Sequence, residues 1–339
     1  MPSMRSARWT LARPPKGMAR LADFRLERFD VHEPRDGELL VNIRYHTVAP
    51  GVLAKLSGAT YTAQVRPGDV IPGFAVGLVE ASAAVGYVAG DIVVGDLGWA
   101  THAIVPATKV ERLGASMFEN SSVPLSAAVG LLGASGLAAF FGLTRVGNVR
   151  PGESVLVSSA FGAVGSAVGQ FGRAIGCEMI GIAGSQEKCA ALVARGGYKR
   201  AVAHTDTRFK DELATLLPQG ADLYFDNVGG AVSDAAFDRL VLHGRVVLCG
   251  QTSSYGGRSA GNSKGMTVAI TRRLTLRGFV VHDYADEFGA ARQMIATWMR
   301  EGRIRDDTEV VAGIESAPTL FLRQFEGSAP RAIISPGPD

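Results

Sequence analysis

From Ser154 to Val281, short apolar runs rich in Val, Ile and Leu alternate with segments of helical period, and this alternation constrains the fold more than any other feature of the chain. Strands are expected at Ser154–Ser159, Glu178–Ala183, Ala201–His204, Leu223–Asp226, Arg245–Cys249 and Leu276–Val281. Helices are expected among them at Val164–Gly176 and Glu187–Arg195, near Phe209–Leu217 and near Val232–Leu242. Strands separated by helices pair in parallel, because a parallel pair needs a crossover and a helix is the usual one. The pattern therefore reads as a doubly wound parallel sheet.

The turn that opens this region carries the best chemical signal. Ser158-Ser-Ala-Phe-Gly-Ala-Val-Gly165 follows an apolar β run and leads into a helix. Ala160, Gly162 and Gly165 take the three small-residue slots of a dinucleotide fingerprint, with alanine in the first. Small residues let the backbone turn sharply and approach a pyrophosphate, and the helix N-terminus offers free N–H groups with a partial positive charge. Glycine-rich turns also serve packing alone; the position at the head of a long strand–helix alternation favours the dinucleotide. The next strand ends Ile182-Ala-Gly-Ser185, without the acid that grips the adenosine ribose of NAD, and Lys188 follows. A missing acid and a nearby cation suit a ribose 2′-phosphate, hence NADP; equally, Lys188 can simply solvate a helix surface.

Before this region the chain reads as β structure. Glu38–Tyr45 alternates like a strand, and Val76–Glu80 and Asp91–Gly95 are short strands between Gly and Pro turns. Helical periodicity is hard to find before Pro124. After a helix at Gly289–Arg300, strand-like Glu309–Val311 and Ala332–Ile334 are expected to return to the first domain. The expected division is residues 1–123 with 302–339, a substrate domain, and residues 124–301, a nucleotide domain. The stretch Asn120–Thr144 has no charged residue and is long enough to span a membrane, but Pro124, Gly130, Gly133, Gly136 and Gly142 suit two buried, closely packed helices joined by a break. No second span or anchoring flank supports a membrane reading.

A small net charge of +3 with no basic cluster excludes nucleic acid as the expected partner. Three cysteines, Cys177, Cys189 and Cys249, are too few for a disulfide framework and point to a reducing compartment; with no signal-peptide run at the N-terminus, a cytoplasmic location is expected. No cysteine precedes Cys177, and His32, His46 and His102 are scattered, so no metal site is expected. His46 reads as a pocket or hydrogen-bonding residue. No serine sits in a nucleophile elbow, and Cys249 reads as a small core residue on a strand.

Several blocks together resemble the prostaglandin reductase and alkenal double-bond reductase family of zinc-independent medium-chain dehydrogenases/reductases. They are Gly184-Ser-Gln-Glu-Lys-Cys189, Asp222-Leu-Tyr-Phe-Asp-Asn-Val-Gly-Gly230 and Gly244-Arg-Val-Val-Leu-Cys-Gly250. Gly136-Leu-Ala-Ala-Phe-Phe-Gly-Leu143, Ser253-Ser-Tyr255 and Gly278-Phe-Val-Val281 fall in the right order around them. The similarity covers nearly the whole chain and is densest from Pro124 to Ala285. It implies an α/β protein with a GroES-like β-barrel domain and a Rossmann domain, an active cleft between them, NADPH, and a homodimer. It further implies a cofactor site lined by Ala160, Gly162, Ala163, Val164 and Gly165, by Gly184, Ser185, Lys188 and His204, and by Asn227, Cys249, Gly250, Ser253, Tyr255, Phe279, Val280 and Val281. Within that site Lys188 would meet the 2′-phosphate, Asn227 and Phe279–Val281 the nicotinamide half, and Tyr255 the substrate carbonyl. Tyr45, Pro50 and Gly51 would line the substrate pocket.

The departures fall on both the substrate and the cofactor side. Ala49-Pro-Gly-Val-Leu53 stands where the family commonly has Asp-Pro-Tyr-Met-Arg, which removes charge and bulk from a substrate loop. Ala203-His204 replaces an Asn-Tyr pair, Ala134-Ser135 a Met-Pro pair, and Gly327-Ser-Ala329 a Gly-Asp-Asn segment. The expected reaction is reduction of a carbon–carbon double bond conjugated to a carbonyl, with a small-molecule enone as partner. A quinone or ketone reductase, or a non-catalytic NADPH-binding regulatory protein, stays open beside it.

Overall fold

The computed structural model describes residues 5–58, 63–195, 197–251, 263–325 and 332–337. The chain forms two compact units, Met1–Gly130 with Asp306–Asp339, and Leu131–Arg305.

The first unit opens with β1 (Arg5–Leu11), β2 (Phe24–Asp30), β3 (Glu38–Thr47) and α1 (Val52–Ser57). It continues with β4 (Phe74–Ser82), β5 (Ile92–Asp96), β6 (His102–Pro106) and β7 (Val110–Leu113). In the second unit come α2 (Ala134–Phe141), β8 (Ser154–Val157), α3 (Ala163–Ile175), β9 (Glu178–Ala183), α4 (Gln186–Ala194) and β10 (Arg200–Ala203). Then follow α5 (Phe209–Leu216), β11 (Ala221–Asp226), α6 (Gly230–Phe237), β12 (Leu240–Leu248), α7 (Ser263–Arg272), β13 (Thr275–Gly278) and α8 (Phe288–Arg300). The chain returns to the first unit with β14 (Glu309–Ala312), α9 (Ala317–Arg323) and β15 (Ala332–Ser335).

The second unit has the doubly wound order β10-β9-β8-β11-β12-β13, every pair parallel. Leu156, Ile180, Ile182, Val202, Tyr224 and Val246 pack on one face of this sheet with Phe209, Leu213 and Phe237 from the helices. Their strand neighbours Val155, Val157, Met179, Leu223, Phe225 and Val247 point the other way and are buried as well. A sheet covered on both faces needs apolar side chains at every position, which is why these strands read as continuous apolar runs. Helix α3 presses close to the sheet through Gly165, Gly169 and Gly172: a Cβ there would collide with the Ser159 carbonyl, the Tyr198 ring and the Met179 sulfur respectively.

In the first unit β3 is the organising strand. One of its edges pairs with β4, while the other is shared, Glu38–Asn42 pairing with β6 and His46–Thr47 with β15. A core forms around Trp99 with Phe24, Leu56, Ile71 and Phe321. The Trp99 indole N–H donates to the Thr47 carbonyl at 3.1 Å, and its ring fills the space that a Cβ on Gly73 would need.

Several expected boundaries move. The helix expected to Leu242 ends at Phe237, and β12 starts at Leu240, well before Arg245. Its pairing with β11 jumps from Ala221↔Leu240 to Leu223↔Arg245, and the residues between bulge, with His243 at φ 62°. The last strand stops at Gly278 because Val281 enters a 3-10 turn running to Glu287. In place of two helices over Asn120–Thr144 stand a 3-10 turn at Leu125–Ala128 and the single helix α2, continued by a π turn at Gly142–Val146. No helix of the described residues is long and apolar enough to cross a membrane. Before Pro124 the described residues do form one short α-helix, α1, beside three single 3-10 turns. It takes in part of the expected substrate loop: Val52 and Leu53 are buried, and only Ala49–Gly51 stays outside it.

Candidate functional site

The carboxyl ends of β8, β9, β10, β11 and β12 carry the site, with the strand order reversing between β8 and β11. In open α/β sheets that reversal leaves a crevice where ligands bind.

The reversal is held by Asp226, which is 2% exposed. Its Oδ1 accepts from the Ser158 hydroxyl at 3.1 Å and the Tyr224 hydroxyl at 2.9 Å. The backbone N–H groups of Val228 and Gly229 reach the same oxygen at 2.9 and 3.0 Å, and Ser233 Oγ donates to Oδ2 at 2.6 Å. Burial pushes the Tyr224 phenol well above its ordinary range, so it remains a donor. Gly229 and Gly230 have φ of 74° and 62°, a left-handed pair that side chains resist, and this turn wraps the backbone donors around the carboxylate. Asn227, 8% exposed, continues the network: its N–H donates to Ser158 Oγ and its Nδ2 to the Ser158 carbonyl, both at 2.8 Å. Sequence reasoning assigned Asn227 to the nicotinamide half and overlooked Asp226, Ser158, Tyr224 and Ser233. The Phe-Asp-Asn-Val-Gly-Gly run was the only available trace of the arrangement.

The turn after β8 has the geometry that its small residues imply. Ser159 takes φ 49°, Ala160 is fully buried, and Gly162 caps α3 from an extended conformation. Gly165 lies where the strand leaves no room for a Cβ, so the N-terminus of α3, with Ala163 and Val164 in its first turn, sits hard against the end of β8. Tyr198 is buried and its hydroxyl donates to the Gly165 carbonyl, bracing that turn from beneath. Free N–H groups at this terminus suit an anionic ligand.

Gly184 and Ser185 follow β9, and the Ser185 hydroxyl caps α4 by accepting from the Lys188 N–H. The strand itself ends without an acid, and the nearby Glu187 carboxylate, in the first turn of α4, is engaged by the Ser185 hydroxyl. Lys188 Nζ and His204 Nε2 instead come within 3.9 and 3.8 Å of the point where a Cβ on Gly184 would be, so an imidazole and an ammonium converge on the end of β9. His204 follows β10 directly, its N–H donating to the Ala183 carbonyl at 2.9 Å. The surrounding protein lowers its pKa, and the Lys188 charge lowers it further.

Cys249 lies one residue beyond β12 rather than within it, because its N–H turns to the Asp226 carbonyl at 2.9 Å. Burial and the Asp226 charge push its thiol up to about 12, so it is no nucleophile. Gly250 follows, backed by the Asn227 carbonyl. Phe279 packs 6.5 Å from Tyr284, Val280 is exposed, and Val281 starts the 3-10 turn. Ser253 and Tyr255 lie outside the described residues, as does the Gly327–Ala329 segment.

Of the substrate-side residues, Tyr45 and His46 alternate on β3. Tyr45 packs with Val76 and Ile333. His46 turns the opposite way and stacks on Trp99 at 6.3 Å, fully buried, its Nε2 without a hydrogen-bond partner among the described residues. Pro50 is half-buried, and a Cβ on Gly51 would meet nothing within 4 Å. Among the described residues, no three of His, Cys, Asp or Glu come together as a metal site.

Comparison with known proteins places this architecture. Residues 7–113 match the family described as the N-terminal domain of oxidoreductase, and residues 163–297 the one described as zinc-binding dehydrogenase. Prostaglandin reductase 1 of Bos taurus is 36% identical over 324 residues, 94% of this chain and 95% of the relative. The chain belongs to the medium-chain dehydrogenase/reductase family of prostaglandin and alkenal reductases. Another member of that family, the NADP(+)-dependent 2-alkenal reductase of Nicotiana tabacum, is 34% identical over 278 residues, 81% of this chain and 79% of the relative. The crystal structure of CurA in complex with NADPH from Vibrio vulnificus superposes with a TM-score of 0.89 at 31% identity, covering 98% of this chain and all of that one. The family's two-unit architecture, a β domain and a Rossmann domain, is the one described above.

Proposed function

We propose that this medium-chain reductase uses NADPH to reduce the carbon–carbon double bond of an α,β-unsaturated ketone or aldehyde, and that it works as a homodimer. The observation that carries the cofactor reading is the end of β9, where Lys188 and His204 converge on Gly184 while the Glu187 carboxylate is held by the Ser185 hydroxyl. A 2′-phosphate gains from a cation there, whereas a ribose hydroxyl would gain from an acid. The turn Ala160–Gly165 fits the pyrophosphate, since its buried alanine and collision-tight glycine bring the α3 N–H groups forward. Asn227, Cys249, Gly250 and Phe279–Val281 are proposed for the nicotinamide half. The substrate reading leans on relatives named for prostaglandins and 2-alkenals.

When bound, the dinucleotide supplies a hydride. What the protein must add is stabilisation of the charge that builds on the substrate carbonyl oxygen as the β-carbon is reduced, and a donor near that oxygen does this. Tyr255 is proposed as the donor. The fixed Ser158–Asp226–Asn227 network holds the floor of the crevice, so the dinucleotide site needs no rearrangement around it. Water supplies the proton at the α-carbon, and the neutral Cys249 thiol takes no part. Tyr45, Pro50 and Gly51 are proposed for the substrate side, where the open space at Gly51 admits a bulky or branched enone.

The deciding experiment follows NADPH oxidation with a panel of enones, enals, quinones, ketones and alcohols. Enones and enals are expected to turn over, and Tyr255→Phe to lose about a hundredfold in kcat, more than it loses in NADPH binding. Turnover of quinones or ketones with none of any enone, together with full activity in Tyr255→Phe, would sink the reading. Tight NADPH binding with no turnover of any compound would favour a regulatory role.

A further inference from the structure

The turn from Ser158 to Gly162, proposed above for the pyrophosphate, is built of small residues except at one place. Phe161 stands between Ala160 and Gly162, half-buried, and two cations of the α4 segment face its ring. Lys188 Nζ lies 5.8 Å from the ring centroid and Arg195 Cζ 5.1 Å. Residues seven apart on a helix lie two turns along the same side, so the ring lies along one face of α4 and its negative π surface meets both charges. A lysine has four rotatable bonds, and at a helix surface it spreads through solvent unless something selects one direction. Here the ammonium has a direction. It stands over the end of β9, 3.9 Å from the Cβ position of Gly184, with His204 Nε2 3.8 Å from that same point. Its charge is felt by His204, whose pKa it helps to lower.

We propose that Phe161 is a positioning residue for Lys188: its ring holds the ammonium over the end of β9, where the adenosine 2′-phosphate would lie, so that discrimination between NADPH and NADH depends on an aromatic side chain in the pyrophosphate turn. The proposal rests on the NADPH reading above. Phe161 need not touch the phosphate. It acts through Lys188, and Arg195 stands over the same ring.

The test is equilibrium binding of NADPH and of NADH, by fluorescence titration, to the wild-type chain and to Phe161→Ala, Phe161→Leu, Phe161→Tyr and Lys188→Ala. Wild type is expected to prefer NADPH, and Lys188→Ala to lose about ten- to a hundredfold of NADPH affinity while NADH hardly changes. Phe161→Ala and Phe161→Leu are each expected to lose about two- to fivefold for NADPH alone, the leucine keeping apolar bulk without the ring's negative face. Phe161→Tyr, which keeps the ring, should restore the wild-type ratio. Parallel loss of both coenzymes in the Ala and Leu variants would make Phe161 a packing residue and overturn the proposal, as would unchanged NADPH binding. Equal affinities for the two coenzymes in wild type itself would overturn the NADPH reading first; a preference of unchanged size after loss of the ring would overturn only the role of Phe161.

Discussion

His46 shows how much one side chain can tie the stability of a domain to pH. It is sealed against Trp99, and burial lowers its pKa from 6.5 to about 4. In the unfolded chain the imidazole takes up a proton as the pH falls below 6.5, while in the folded chain it stays neutral until about 4. Its contribution is therefore intact above pH 6.5 and is lost as the pH falls from there towards 4, a total of about 3 kcal/mol. Melting of the wild type should drop over that window, and His46→Leu should flatten the drop; equal acid sensitivity in the two proteins would refute the assignment. At this scale the sequence was readable wherever backbone approach leaves a mark in composition. Ala160 is fully buried, and Gly162 and Gly165 are small because the backbone and side chain of Ser159 and the backbone of Ala160 crowd them. Asp226 left almost no such mark, since its partner Ser158 is 68 positions away and meets it only once β8 and β11 are neighbours. The burial of His46 was equally hidden, because it depends on Trp99 arriving from another part of the chain.

Among the elements, α3 depends most on a single atom count. Its first turn fits against β8 because Gly165 lacks a Cβ, and the obstacle is backbone at Ser159 and Ala160, which has nowhere to go. Gly165→Ala should cost about 1–3 kcal/mol of stability by forcing the helix outward, and should weaken NADPH binding as the N–H groups recede. Calorimetry and a coenzyme titration check both halves; wild-type melting and affinity in the alanine variant would show that the contact is looser than described. The elements legible in sequence were those long enough to show a period within a buried layer. Six-residue α1 is too short for one. The apolar residues Leu240 and Leu242 extended a helical period past Phe237 into what is strand, because a bulged strand also offers irregular apolar spacing. Phe279-Val-Val281 looked like more of β13 because hydrophobicity alone does not register a change from extended chain to a 3-10 turn.

For the whole molecule, strand β13 ends the second unit's sheet, with Thr275, Arg277 and Gly278 exposed and Ile270 of α7 75% exposed. An open edge of this kind invites another strand, and the proposed homodimer would pair it with a second copy. Light scattering at micromolar concentration should give twice the chain mass; a monomer would remove the dimer and leave the fold as it is. The first unit holds a different lesson, about time. Its sheet has β15 between β14 and β3, and the chain leaves that unit at Gly130 and re-enters at Asp306, whose carboxylate occupies the place a Cβ on Gly130 would need. During synthesis from the N-terminus, every strand of the second unit's parallel sheet has therefore emerged before the first unit's mixed sheet can receive β14 and β15. The nascent chain must carry β3 with the His46–Thr47 end of one edge unpaired through the whole of that interval, so the part of the protein made first is the part completed last.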